Sequence, residues 1–209
     1  MDEAFPVPQA EFPSRRILLL FLIFIATGCQ LFHPRDMLSI PEIAGKEAKP
    51  VEFPLSSVRF ELAAFDLLDQ SLEVFDSDLP RAGIHPVWVR IKNSATYMLD
   101  LEGSHINLVP NGASAARLIP PKLIVDLIYN SYRTRMFSPY FRSQLENRFE
   151  EMRLKLIKVL PGQEISGYLF FGLGGREYGL LRGARLRWSE IKTPNSPEML
   201  AVDYTFPAP

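Results

Sequence analysis

Hydrophobic and polar side chains alternate with period two over much of this chain. Val58, Phe60 and Leu62 alternate with Arg59 and Glu61; Val87, Val89 and Ile91 alternate with Trp88, Arg90 and Lys92. Tyr97, Leu99 and Leu101 share one face of the next run, and Ile106 and Leu108 continue after Gly103. Further on, Ile165, Gly167, Leu169 and Phe171 alternate with Ser166, Tyr168 and Phe170; Ala184, Leu186 and Trp188 with Arg185 and Arg187; and Leu200, Val202, Tyr204 and Phe206 with Ala201, Asp203 and Thr205. Successive residues of a strand point to opposite faces, so each run predicts a half-buried strand. Turn residues separate the runs at Asn93-Ser94, Asn111-Gly112 and Leu160-Pro161-Gly162-Gln163. Asn-Gly between strands is a strong hairpin signal. About seven short strands divided by turns predict a mainly β fold, an antiparallel β-sandwich.

The period changes in the middle. After Pro120-Pro121, Leu123, Ile124, Leu127 and Ile128 recur at helical spacing, with proline at the helix start. Leu145, Phe149, Met152 and Leu156 form a second helical stripe, and Glu151 with Lys155 makes a favourable i, i+4 pair. Pro139 is expected to divide the two helices. The sandwich therefore carries a helical insertion at about 121–158. Its central segment interleaves aromatics with arginines: Tyr132, Arg133, Arg135, Phe137, Tyr140, Phe141 and Arg142. Tyrosine and arginine are favoured interface anchors, so these seven residues are the candidate contact surface for a partner. They fit equally a helical pair packed over one end of the sandwich with its arginines reaching outward.

The N-terminal part has a different pattern. Arg15 and Arg16 precede the apolar run Ile17 to Ile25, followed by Ala26, Thr27, Gly28 and the single cysteine, Cys29. With Ala26 and Thr27 the run reaches 11 residues, about 16 Å as a helix at 1.5 Å per residue. That is short against a hydrocarbon core about 30 Å thick, and it matches the apolar region of an export signal. Ala26-Thr27-Gly28-Cys29 resembles the lipobox of bacterial lipoproteins, with Ala26 where leucine is usual. The resemblance implies cleavage between Gly28 and Cys29 and a lipidated Cys29, which would hold the chain on a membrane. Gln30, in place of an aspartate, implies the outer membrane, facing the periplasm. Two other readings fit the run: an uncleaved anchor continuing through Leu31 and Phe32, and a secretory signal with an incidental cysteine. On the first reading, residues 1–28 are a signal peptide, 29–54 a flexible tether interrupted by Pro34, Pro41, Pro50 and Pro54, and 55–209 the sandwich domain.

Composition narrows the function further. Loss of Asp2, Glu3, Glu11, Arg15 and Arg16 with the leader leaves 21 acidic and 21 basic side chains in 181 residues. A balanced charge does not favour nucleic acid. With one cysteine no intramolecular disulfide exists, and a lipidated thiol serves neither as nucleophile nor as metal ligand. His85 and His105 lack a Gly-x-Ser-x-Gly elbow or a paired histidine, so neither a catalytic nor a metal site is expected. His33 falls in the tether and reads as solvated. Asp66, Asp69, Asp76 and Asp78 lack the spacing of a calcium loop and read as solvated turn charges. Gly172, Gly174, Gly175 and Gly179 lack the Gly-Lys-Ser/Thr ending of a phosphate loop and read as a hairpin loop. No cofactor is expected.

The runs His85 to Ser94 and Leu160 to Phe171 resemble strands of immunoglobulin-like domains in bacterial envelope proteins. The likeness implies a fold and little about activity. The expectation is a lipid-anchored envelope protein acting as a non-catalytic binding or assembly module, with an envelope protein or cell-wall polymer as partner. The alternatives are a hydrolase of envelope polymer and a small-ligand carrier.

Overall fold

The computed structural model describes residues 49–52, 57–112, 114–132, 139–194 and 196–207. The chain falls into two units, residues 1–40 and 41–209, and the described residues all belong to the second. Gly28, Cys29, Arg133, Arg135 and Phe137 lie outside them.

The fold is mainly antiparallel β with a few helices. Its strands are β1 (Lys49–Glu52), β2 (Val58–Ala64), β3 (Ile84–Asn93), β4 (Leu99–Asp100), β5 (His105–Val109), β6 (Arg117–Leu118), β7 (Lys158–Val159), β8 (Glu164–Gly172), β9 (Arg185–Thr193) and β10 (Ser196–Thr205). The helices are α1 (Leu68–Phe75), α2 (Pro121–Tyr132) and α3 (Pro139–Met152), with a 3-10 turn at Pro80–Ala82. One sheet has the order β1-β2-β3-β8-β6; the other has β10-β9-β4-β7, with β5 also on β9. β1 falls inside the expected tether: its pairing with β2, Val51 opposite Phe60, carries the folded domain back to at least Lys49.

The alternating runs supply a core shared by both sheets. Phe60, Leu62, Val87, Val89, Leu169 and Phe171 from the first sheet cluster with Leu108, Leu186, Trp188 and Val202 from the second. Phe60 and Trp188 meet edge to face at 5.8 Å, the geometry aromatic quadrupoles favour. Two buried polar side chains tie this core together. The Trp188 indole N–H donates to Ser104 Oγ at 2.7 Å. Asn93 Nδ2 donates to the carbonyls of Tyr97 and Val159 at 2.8 and 3.0 Å, joining the end of β3 to β7 of the other sheet.

The other face of the first sheet departs from a plain sandwich. Ala63, Ile84, Trp88, Tyr168 and Phe170 occupy the positions alternate to the shared core, yet all are buried, under Val74 and Phe75 of α1, Ile124, Val125 and Ile128 of α2, and Phe149 of α3. The helices therefore cover a sheet face and form a third layer. α1 was not expected from the sequence: it is only eight residues long and its stripe is Ser71, Val74 and Phe75. Helical cover stops part-way. Beyond Trp88 the same face carries Arg59, Glu61, Arg90 and Glu164, linked as Arg59 Nε–Glu61 Oε1 at 2.9 Å, Arg90 Nη1–Glu61 Oε2 at 3.2 Å and Arg90 Nε–Glu164 Oε1 at 3.4 Å.

Leu108 and Ala116 form an antiparallel bridge across the Asn111-Gly112 turn, as a hairpin requires, yet this turn and the expected glycine-rich hairpin loop both carry the chain between sheets. After the Asn111-Gly112 turn, with Gly112 at φ 70°, the chain leaves β5 on the second sheet and joins β8 on the first as β6. The glycine-rich stretch after Gly172 connects β8 to β9, which belong to different sheets. The expected Glu151–Lys155 pair is replaced as well: α3 ends at Met152, and Lys155 Nζ binds the carboxylate of Glu150 and its carbonyl, the latter at 2.7 Å.

Candidate functional site

α2 and α3 are fastened by one arginine. Arg142 donates to Asp126 on α2 and, from Nε, to Glu146 one turn along α3 at 3.2 Å. Its guanidinium lies 5.8 Å from the ring centroid of Tyr129. The bonds to the Glu146 and Asp126 carboxylates push its pKa still higher, so it stays charged and fixed. Arg148 Nη2 lies 3.6 Å from Asp76 Oδ2, the left-handed residue that caps α1. Of the expected contact residues, Arg142 thus has its charge met inside the helical layer. Tyr140 and Phe141, at the head of α3, form an edge-to-face pair at 6.2 Å and are 68% and 50% exposed. Tyr132 is the last residue of α2.

The histidines separate. His105 is exposed on β5, its Nε2 3.7 Å from Glu190 Oε2. His85 is wholly buried on β3, and neither ring nitrogen has a hydrogen bond of normal geometry. Burial lowers its pKa; the nearby Asp66 carboxylate and, after it, the Gly175 backbone pull the other way. Asp66 and Asp78 are buried too, against the expectation of solvated turn charges. Asp66 Oδ2 accepts the Leu181 N–H at 2.7 Å, and its carbonyl accepts the Gly179 N–H at 3.2 Å. Asp78 Oδ2 accepts the Tyr178 hydroxyl at 2.7 Å. Both carboxylates hold the glycine-rich connection to the sheet, and it encloses His85 rather than opening a cleft above it. Among the described residues no three His, Cys, Asp or Glu side chains come together to hold a metal ion. Nor is any described helix long and apolar enough to cross a membrane.

The helical layer is entered and left across one edge of the first sheet, that of β8. Residues 117–120 pass up this edge through β6 into α2, and residues 153–157 pass back down from α3 toward β7. The Leu154 N–H donates to the Tyr168 carbonyl and the Ile119 N–H to the Phe170 carbonyl, both at 2.9 Å. Gly167 permits the descent: a Cβ there would lie 2.6 Å from Leu154 N. Between the two passages lies a groove of about 490 Å³, walled by Leu118, Ile119 and Pro120 on one side and by residues 153–157 on the other. Its residues come from three stretches with no shared periodicity, and the sequence carries no signal for it.

The chain is thus a mainly antiparallel β protein with a helical layer on one sheet. No family model and no curated protein matches it. Two solved structures resemble it in part. One is a functionally unknown protein from Listeria monocytogenes EGD-e, with TM-score 0.39 and 10% identity over 78% of this chain and 84% of that one. The other is a DUF4426 family protein from Pseudomonas aeruginosa PAO1, with TM-score 0.31 and 8% identity over 78% of this chain and 97% of that one.

Proposed function

We propose that the chain is a lipid-anchored protein of the bacterial cell envelope, held at the outer membrane through Cys29, whose β domain acts as a non-catalytic binding module. The anchor rests on the sequence Arg15 to Cys29: paired charge, short apolar run, small residues and cysteine. The two facing sheets support an immunoglobulin-like reading of the domain, a scaffold that presents its contact surface on an insertion.

The observation that carries the contact role is the aromatic pair Tyr140–Phe141. It stands exposed at the head of α3, while the nearest described arginine, Arg142, is bound to its own carboxylates. Aromatic side chains held on a rigid element lose little entropy on binding and are common interface anchors. The partner is an envelope protein or a cell-wall polymer.

The test is recovery of crosslinked partners from cells making the full chain. Tyr140→Ser with Phe141→Ser should abolish recovery and leave the thermal unfolding temperature unchanged; recovery equal to the parent rejects the contact role. Separately, Cys29→Ser should block incorporation of a fatty-acid analogue and release the chain from membranes. Labelling that persists rejects the anchor.

A further inference from the structure

We propose that the groove at the β8 edge binds a single-chain fatty carboxylate, its hydrocarbon between the two passages and its head group at Arg153 and Lys155. This inference does not rest on the Cys29 anchor or on the Tyr140–Phe141 surface, and its test is independent of theirs.

Size and lining fit such a ligand. A groove of about 490 Å³ falls within the range of about 300–1,000 Å³ common to small-molecule sites. Its walls are aliphatic: Leu118 and Ile119 on one side, Leu154, Leu156 and Ile157 on the other, with Phe170 between them. Leu118 and Ile157 are 36% and 42% exposed, so water now covers apolar surface that a hydrocarbon chain would take.

The charge at one end fits a monoanion. Glu150 Oε1 is the shared acceptor of Arg153 Nη2, at 2.8 Å, and of Lys155 Nζ. One carboxylate facing two cations leaves one positive charge in excess. The Arg153 and Lys155 side chains are 41% and 47% exposed, so their outward donors are open to a head group, and a carboxylate is the acceptor that matches a guanidinium best.

An extended peptide is the obvious competitor, because β8 is near an edge. Strand addition needs free backbone acceptors. The carbonyls of Tyr168 and Phe170, which face this edge, already accept from Leu154 and Ile119. A hydrocarbon chain needs no such acceptor.

The full-length chain isolated from cells making it, irradiated with a diazirine-bearing fatty acid and mapped by peptide mass spectrometry, tests the site. Adducts are expected on residues 118–120 and 153–157, competed by excess dodecanoate and much less by dodecanol. Ile157→Asp, which sets a charge in the apolar wall, should cut groove labelling about tenfold. Should that variant fail to fold, the exposed Lys155→Gln carries the test: it should lower labelling by the carboxylate probe and leave labelling by a diazirine alcohol unchanged. Equal labelling of parent and variants overturns the proposal. So do adducts spread as heavily over Tyr140, Phe141 and Met199, adducts joining two copies through the groove, and competition by an extended apolar peptide but not by dodecanoate.

Discussion

Asp66 and Leu181 are joined by a buried hydrogen bond of 2.7 Å from backbone N–H to Oδ2 across 115 residues. Through it, the segment between β2 and α1 holds the glycine-rich connection that carries the chain from the first sheet to the second. The bond makes a turn carboxylate into a structural tie. Asp66→Ala should cost about 1–3 kcal/mol, because the Leu181 N–H is left buried without an acceptor. Denaturant unfolding measures the loss, and amide exchange should rise at Leu181 and Gly179.

The buried His85 makes stability depend on pH. Its pKa in the folded chain lies below the unfolded value of 6.5, chiefly through burial. As pH falls below about 6.5, the unfolded chain takes up a proton that the folded chain does not, so the folded state loses stability. Above that pH both states hold a neutral ring and the effect vanishes. Denaturant midpoints recorded between pH 5 and 8 should fall on the acid side, and His85→Leu should flatten that part of the slope. A slope unchanged in the variant contradicts the assignment.

Alanine should be costly at Gly167 and tolerated at Gly174. A Cβ at Gly167 would lie 2.6 and 2.7 Å from backbone atoms of Leu154, whereas one at Gly174 would meet nothing within 4 Å. Overpacking against backbone costs about 1–3 kcal/mol, so Gly167→Ala should lower the melting temperature by several degrees. Gly174→Ala should shift stability by no more than about 0.5 kcal/mol. Equal melting of the two variants would falsify the account of how residues 153–154 pass the β8 edge.

Ser104→Ala removes the hydroxyl that accepts the Trp188 indole N–H within the shared core. The expected cost is about 1–3 kcal/mol, read by thermal unfolding. A changed near-ultraviolet circular dichroism signal would accompany it. Ser104→Thr, which restores the hydroxyl, should recover part of the loss.

The strands were legible where local spacing decides burial. Ala184, just before β9, and Leu186 and Trp188 on it are buried while Arg185 and Arg187 stay exposed, as period two requires. The helical insertion was legible from Ile124, Ile128 and Phe149, all buried. Leu123 belongs to the same expected stripe but is 41% exposed, and Val125 takes its place in the core. The true stripe depends on how the helix rolls onto Trp88 and Tyr168. Asp66 and Asp78 read as solvated because their donors, Leu181 and Tyr178, are 115 and 100 residues away. No local pattern reports a partner at that distance.

By itself, the sequence determined which side chains share a face, where the helical period replaces the strand period, and that Cys29 follows a short apolar run. Those are properties of neighbours, set by backbone geometry over a few residues. It follows from the packed fold alone that Trp88, Tyr168 and Phe170 lie under helices while Arg90 and Glu164 on the same face do not. Only it enclosed His85 beneath the glycine-rich connection and set Leu118 beside Ile157 at one sheet edge. What covers a face depends on segments that arrive from far along the chain, and their arrival is settled by the packing of the whole core rather than by any local rule.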